Sequence, residues 1–165
     1  MSALLRISTV GVDRTLVALR EAGGGRHESC AFWLGDATRA DVTRIVIPQG
    51  PGVVLRPLSI RISEAWMDRL GDLTDESGLV VLGATHTHPE TAFFSPIDSD
   101  AFFHAPGCVS VVVPNYGASR LDEADRAWGT FIGLPWNQWR PSRWSDEVEI
   151  DERLDPQVQR LGDEG

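Results

Sequence analysis

Two short apolar runs constrain the fold of this chain more than any other feature. Leu79–Ala84 is apolar throughout, and Val109–Val113 is interrupted only by a serine. Runs of this length, rich in valine and preceded by glycine-containing segments, are typical of strands buried on both faces of a sheet. The sequence therefore predicts a central β-sheet with at least two covered strands.

Other segments predict elements around this sheet. Further strands are expected at residues 3–10, 27–34, 42–47 and 127–132, helices at 12–22, 59–72 and 97–104, and a loop over 85–97. The helical segments show apolar residues at a spacing of three and four, and glycines or prolines stand where elements end. Because strands and helices alternate without a regular βαβ series, we predict an α/β fold whose mixed central sheet is flanked by helices.

Charge and composition exclude several classes of protein. The 165 residues carry 15 basic side chains, all arginine, and 24 acidic ones, for a net charge of -9, which argues against a nucleic-acid or membrane partner. Two cysteines without CxxC spacing suit a reducing compartment, and Arg6 interrupts the N-terminal apolar stretch. We therefore expect a cytoplasmic protein.

The acidic residues are concentrated at the C-terminal end. Residues 1–144 form the predicted domain, and residues 145–165 form an acidic tail that we expect to be solvated or partly disordered. Within that tail Val148 and Ile150 alternate with acids, so an edge strand is the alternative.

Two histidines follow the first apolar run, in His86-Thr87-His88-Pro89. If the strand continues to His88, its period of two places both imidazoles on one face. Asp98, in the loop beyond, adds a carboxylate, and two imidazoles with one carboxylate suit zinc while leaving a coordination position open. The same residues permit other interpretations. Ser95 and Asp98 fit a helix capping box, and His104 is an alternative third ligand.

A hydrolytic metal site also needs a general base, for which Glu28 is the candidate. It opens the otherwise apolar segment Glu28–Gly35, where a carboxylate is unfavourable unless it has a role or faces solvent. An exposed glutamate at a strand end is the alternative for Glu28. Glu90 is a rival base, whereas His27 is expected to point to the opposite face of the strand from Glu28.

Taken together, these segments resemble the signature of the JAMM (MPN+) metalloproteases: a glutamate opening a Cys- and Gly-containing strand, then HxHP, then Ser-x-x-Asp. The chain resembles a short prokaryotic member of this family over residues 3–133. It departs from the usual pattern by one residue fewer between His88 and Asp98 and by Ala31 in place of glycine. The resemblance implies a single MPN domain of the cytidine-deaminase-like type, with residues 1–144 as its catalytic part.

The resemblance also implies roles for the candidate residues. His86, His88 and Asp98 would hold Zn²⁺, Glu28 would be the acid and base, and Ser95 would donate a hydrogen bond to the oxyanion. The implied activity is that of an isopeptidase or peptidase acting on ubiquitin or a ubiquitin-like protein. It would operate in a bacterial conjugation pathway, such as one of antiphage defence, beside E1-like and E2-like enzymes.

Other functions remain open from the sequence. The chain is alternatively a non-catalytic MPN scaffold, or a JAMM hydrolase of sulfur-carrier or cysteine biosynthesis. A zinc deaminase of related fold is disfavoured because the H-x-E and P-C-x-x-C ligand signature is absent.

Four tryptophans lie close together near the C-terminal end of the predicted domain, at positions 128, 136, 139 and 144. Packing onto the sheet is one interpretation of them, and a partner surface is the other.

Overall fold

The computed structural model describes residues 3–91, 105–136 and 138–162. Within them the strands are β1 (Leu5–Ile7), β2 (Cys30–Gly35), β3 (Val42–Pro48), β4 (Val53–Arg56), β5 (Ser59–Ile62), β6 (Val80–Thr87), β7 (Val109–Val113), β8 (Gly129–Leu134), β9 (Gln138–Ser142), β10 (Val148–Ile150) and β11 (Gln157–Leu161). The helices are α1 (Thr9–Gly23), α2 (Glu64–Ser77), α3 (Ala124–Ala127) and α4 (Trp144–Glu147), and two short 3₁₀ turns cover Asn115–Gly117 and Leu121–Glu123.

Seven strands form the central sheet, in the order β11-β3-β2-β6-β7-β8-β9. The sheet is mixed, because β6 is parallel to β7 and β11 is parallel to β3, whereas the other neighbours are antiparallel. The two apolar runs become β6 and β7, which are adjacent in the interior of the sheet. This confirms the predicted α/β class.

The two longer helices cover opposite faces of the sheet. The face beneath α1 is packed by Leu16 and Leu19, and the face beneath α2 by Trp66 and Leu70. A serine caps the N-terminus of each helix, and Gly24 and Gly78 end the helices in the left-handed conformation that glycine adopts without steric cost. The cluster beneath α2 also contains Cys30. Because Cys30 stands two residues after Glu28, the candidate site is expected on this face of the sheet.

The predicted helix over 59–72 is wrong at its start. Residues 59–62 are strand β5, which pairs antiparallel with β4, and α2 begins only at Glu64. Ile60 and Ile62 alternate with polar residues as a strand requires, and the Ser63 hydroxyl accepts a hydrogen bond from the Trp66 N–H at 3.1 Å. This cap fixes the helix start five residues later than the apolar spacing suggests.

The boundaries of two predicted strands also differ from those in the structure. The strand expected at 3–10 is only Leu5–Ile7, because Ser8 caps α1 and the helix begins at Thr9. The strand expected at 27–34 runs from Cys30 to Gly35. The helix expected at 97–104 lies outside the described residues.

Strands Val148–Ile150 and Gln157–Leu161 show that the C-terminal segment is not disordered over these residues. Strand β10 pairs with β1, as the alternative interpretation proposed, and β11 forms an edge of the seven-stranded sheet against β3. The Leu161 carbonyl accepts hydrogen bonds from the Gln49 N–H at 3.0 Å and the Trp66 indole N–H at 2.7 Å. The boundary at residue 144 between catalytic domain and tail stays a prediction.

Of the four clustered tryptophans, three pack against other aromatic rings and one is exposed to solvent. Trp128 and Trp144 are buried and meet edge to face, and Trp139 contacts Phe131 in the same geometry. Trp136 is 89% exposed in the turn between β8 and β9. Among the described helices, none has the length and apolar character needed to cross a bilayer.

Candidate active site

His86 and His88 lie at the C-terminal end of β6, on the face of the sheet that α2 covers. Their ring centroids are 5.1 Å apart with an interplanar angle of 59°, and the side chains are 0% and 4% exposed. The pair follows the buried half of β6, which lies between β2 and β7 in the sheet. The expected side-by-side arrangement of the two imidazoles is confirmed.

Glu28 reaches the same face from the neighbouring strand. In the register of β2 and β6, Cys30 lies opposite His86. The pairing continues one residue further, because the Thr87 N–H donates to the Ser29 carbonyl at 3.0 Å and the Ser29 N–H donates to the Thr87 hydroxyl at 2.9 Å. Since side chains alternate along each strand, Glu28 comes opposite His88.

The side chain of Glu28 is buried. It is 5% exposed, so the alternative of a solvent-exposed glutamate at a strand end does not hold. Carboxylates are almost never this buried unless they are paired or coordinate an ion, because removing the charge from water is costly. A buried carboxylate beside two buried imidazoles is the combination expected of a hydrolytic site.

A strained turn closes the other side of His88. Asn115 and Tyr116 have φ values of 56° and 53°, in the left-handed region that favours glycine, and Gly117 follows at 89°. The Tyr116 N–H donates to the His88 carbonyl at 2.8 Å, and the His88 N–H donates to the Val113 carbonyl at 2.9 Å. The turn therefore fixes the backbone of the second histidine from the side of β7.

The chain is similar in sequence to a protein named as a metalloprotease. No protein-family model matches the chain. A Sinorhizobium fredii protein named Probable metalloprotease y4jG is 31% identical over 134 residues, which span 75% of this chain and 82% of the relative. The chain belongs to the JAMM (MPN+) metalloprotease family.

Solved structures are similar to this JAMM protein in fold. Protein DSY2949 from Desulfitobacterium hafniense has a TM-score of 0.59 at 19% identity, covering 92% of this chain and 95% of its own. A Salinibacter ruber protein has a TM-score of 0.53 at 21% identity, with the same coverage. AF2198, a JAB1/MPN domain protein from Archaeoglobus fulgidus, gives 0.47 at 16% identity, covering 90% of this chain and 100% of its own.

The structure describes only some of the residues predicted for the JAMM site. Ser95 and Asp98 lie outside the described residues, as does the alternative ligand His104, so their roles stay predictions. Within residues 3–91, 105–136 and 138–162, no group of three histidines, cysteines or acids is placed to hold a metal ion. Of the residues predicted for the JAMM site, the structure describes the histidine pair and Glu28.

The rival residues of the JAMM site lie apart from this group. His27 is half-buried, and its N–H donates to the Gly23 carbonyl at the end of α1. Ser29, two residues on, donates its hydroxyl to the Leu19 carbonyl of the same helix, which places both residues on the α1 face. Glu90 is exposed. Both positions favour Glu28 as the base.

Two structural features next to the histidine pair were not predicted from the sequence: the left-handed turn at Tyr116 and the position of Cys30 opposite His86. Tyr116 follows an Asn in a Pro-Asn-Tyr-Gly turn, and only the flanking Asn and Gly signal a left-handed backbone. Cys30 stands opposite His86, and burial raises the pKa of its thiol well above the usual range. Cys108 is also a free cysteine, and partial burial raises its pKa to about 11.

Proposed function

We propose that this chain is a zinc-dependent isopeptidase or peptidase that releases a ubiquitin-like protein from a conjugate or precursor. The observation that carries the proposal is the placement of Glu28 and the two histidines together, buried on one face of adjacent strands. Membership of the JAMM family and the similarity to a relative named as a metalloprotease support a hydrolytic function.

The donor set fits zinc. Imidazole nitrogens suit this borderline-soft ion, and His86 and His88 present two of them at the end of one strand. Asp98 is the proposed third ligand, on the basis of the family motif. When bound, zinc would supply a Lewis acid that polarises a carbonyl and lowers the pKa of water to about 7.

Glu28 is proposed to move the proton. Its carboxylate would accept a proton from the attacking water and deliver it to the departing amine, a role that requires a group within hydrogen-bond reach of both. Burial serves this role, because excluding bulk water strengthens the interactions of the carboxylate with the reacting groups. Ser95 would donate a hydrogen bond to the developing oxyanion.

The substrate class rests on the family resemblance. A ubiquitin-like protein joined by an isopeptide or C-terminal peptide bond is the proposed substrate. We place the enzyme in a cytoplasmic bacterial conjugation pathway with E1-like and E2-like partners. Processing of a sulfur carrier would use the same residues on a different protein.

The test combines metal content with hydrolysis. Full-length wild-type protein, Glu28→Gln, His88→Ala and the matched control His27→Ala are assayed for zinc by mass spectrometry. The same four proteins are given ubiquitin isopeptide-linked to a fluorescent lysine peptide, and C-terminal peptide fusions of ubiquitin-like proteins from bacterial conjugation operons and of sulfur carriers.

Wild type and His27→Ala should bind zinc and cleave at least one substrate. Glu28→Gln should keep zinc and lose about 10²–10⁴-fold in rate, and His88→Ala should lose both zinc and activity. A wild-type protein without affinity for zinc would favour a non-catalytic scaffold, and an active Glu28→Gln variant would overturn the assignment of the base.

A further inference from the structure

The last turn of α1 is bonded to the sheet on the face opposite to the candidate active site. The Ser29 hydroxyl donates to the Leu19 carbonyl of this turn at 2.7 Å. The guanidinium of Arg20, the next residue of the helix, donates to the Gly117 carbonyl at 3.0 Å. Ser29 directly follows the proposed base, and Gly117 belongs to the strained turn that is bonded to the second histidine. Two consecutive helix residues therefore hold the backbone on both sides of the site.

Ser29 is held by three hydrogen bonds and is 0% exposed. Besides the hydroxyl bond to α1, its N–H donates to the Thr87 hydroxyl at 2.9 Å, and its carbonyl accepts from the Thr87 N–H at 3.0 Å. In a regular antiparallel pair of this kind the Thr87 carbonyl would accept the first of these two bonds, so a side chain here replaces a main-chain acceptor. The position of Glu28, one residue earlier, therefore depends on two buried hydroxyls.

Thr87 also contacts the strained turn. A Cβ built on Gly117 would lie 3.5 Å from Thr87 Cγ2 and 3.4 Å from Arg20 Cγ, so both side chains line this turn. Tyr116 has a left-handed φ of 53° there, a conformation that persists only where the surroundings over-determine it. The Tyr116 hydroxyl supplies one constraint by donating to the Pro57 carbonyl, in the hairpin formed by β4 and β5. The Arg20 bond supplies another from the opposite face of the sheet.

Arg20 is suited to hold a backbone rather than to neutralise an acid. Eight other arginines of the described part of the chain form ion pairs with acids, whereas the Arg20 guanidinium donates to a main-chain carbonyl. Arg20 lies in the last turn of α1, where a positive charge is favourable beside the carbonyl end of the helix. Its side chain is therefore stabilised in the place from which it reaches the turn.

We propose that the last turn of α1 positions two groups of the active site from the opposite face of the sheet. Ser29, through its bond to the helix, positions Glu28 for proton transfer. Arg20, through the strained turn, positions His88 for metal binding. Both are positioning residues, because each acts through the backbone of a neighbouring segment. Functional groups must be held within about 0.5 Å of the productive geometry, which such backbone bonds supply. The inference rests on the proposed function.

The test compares full-length variants that each remove one hydrogen-bonding group. Ser29→Ala and Arg20→Met are the main variants, and Arg20→Lys keeps a donor at the end of the side chain. The matched control Thr85→Val removes a buried hydroxyl from the same face of β6 as Thr87, one without a hydrogen-bond partner in the described part of the chain. Arg26→Met, which removes an exposed arginine just beyond α1, is the second control.

Zinc affinity is measured by calorimetry, and KM and kcat are measured on a substrate that the wild type cleaves. Ser29→Ala should bind zinc as tightly as wild type and lose about 10–100-fold in kcat at unchanged KM, because only the base is displaced. Arg20→Met should lose about 10–100-fold in zinc affinity, and Arg20→Lys should recover most of it. Both controls should match wild type. A helix that merely supports the fold would lower zinc affinity and kcat together.

A second measurement needs neither zinc nor substrate. In the zinc-free protein, nuclear magnetic resonance reports the exchange of the Ser29 amide proton with solvent. Thr87→Val lacks the hydroxyl acceptor, so this exchange should become at least about tenfold faster, and Thr87→Ser should restore the wild-type rate. Thr85→Val should leave the rate unchanged. Equal exchange in Thr87→Val and wild type would overturn the role of the hydroxyl pair.

Parallel loss of zinc affinity and kcat in both Ser29→Ala and Arg20→Met would overturn the proposal, as would values equal to those of the controls. If the wild type cleaves nothing, zinc loss confined to Arg20→Met would support the positioning of His88 and count against the proposed function. Cleavage by both variants with the kcat and zinc affinity of the wild type would do the reverse.

Discussion

Cys30 lies directly opposite His86 in the antiparallel register of β2 and β6. This single pairing determines the layout of the site, because the residues two positions outward on each strand share the same face. Glu28 and His88 are those residues, and both are buried. The proposed base and the two proposed histidine ligands are therefore held at the ends of two strands in the interior of the sheet.

The register predicts which histidines hold a metal. His86→Ala and His88→Ala should each lower zinc affinity by more than the roughly 10–100-fold typical of an outer-shell change, because each removes a ligand. His27→Ala should leave affinity unchanged, since His27 lies on the α1 face. Calorimetric zinc titration of the three variants checks this. Equal losses in all three would contradict the placement of the site on one face.

The core of the fold and half of the site were predictable from local sequence. Leu79–Ala84 is apolar at every position, which predicts a strand of the central sheet, and the period of that strand then places His86 and His88 on one face. The partner strand was predicted from its own apolar run, which brings Glu28 to the same end of the sheet. Strand periodicity alone places His86 beside His88, whereas Glu28 joins them through the pairing of β2 with β6, which the sequence did not predict.

Features that depend on distant contacts were not predictable. Strand β11 alternates polar and apolar residues among acids, and its position is set by pairing with β3, more than 100 residues earlier in the chain. The left-handed backbone of Tyr116 is unfavourable locally and is held by bonds to His88 and Pro57. Ile60 and Ile62 fit either a helix or a strand, and the Ser63 cap determines the outcome.

Two glycines should respond to alanine in opposite directions. A Cβ on Gly83, in the middle of β6, would lie 2.7 Å from the Val109 carbonyl oxygen and 3.2 Å from Leu5. Gly83→Ala should therefore destabilise the protein by about 1–3 kcal/mol. Gly71→Ala, on α2 with open space around the new methyl group, should stabilise it by about 0.5–1 kcal/mol. Urea unfolding of both variants gives the two signs, and stabilisation by Gly83→Ala would contradict the close strand contact.

Removal of β11 should destabilise the whole sheet. Truncation after Pro156 leaves the edge of β3 unpaired, deprives the Trp66 indole of its acceptor and removes the buried Leu161 side chain from the core beneath α2. An unsatisfied buried donor costs about 1–3 kcal/mol, and an exposed β3 edge favours aggregation. Thermal unfolding and size-exclusion chromatography measure both effects. Truncation after Gly162, which keeps β11, is the control, and equal stability of the two truncated proteins would contradict the role of β11.

Tyr116→Phe should loosen the hairpin without unfolding the sheet. The change removes the hydroxyl that donates to Pro57 and leaves the ring and the backbone bond to His88 in place. The net loss of stability should not exceed about 0.5–1.5 kcal/mol, the range for one neutral hydrogen bond. Hydrogen exchange should increase in β4 and β5 but not in β6 and β7. Unchanged exchange in the hairpin would show that the tyrosine does not hold it.

Acid should remove a contribution to stability made by Asp151, which follows β10. The Arg153 side chain donates to this carboxylate, as does the Arg153 N–H, and these bonds lower the Asp151 pKa from 3.8 to about 2. Because the folded pKa is the lower one, the unfolded chain binds more protons between these values, and stability falls as the pH falls through them. Asp151→Asn should therefore be less stable than wild type at pH 6, and the difference should shrink from about pH 4 downward and vanish only below about pH 2. Thermal unfolding across this range measures it, with Asp68→Asn as the control for net charge. A difference between wild type and Asp151→Asn that stays constant from pH 6 to pH 2 would show that the carboxylate makes no such contribution.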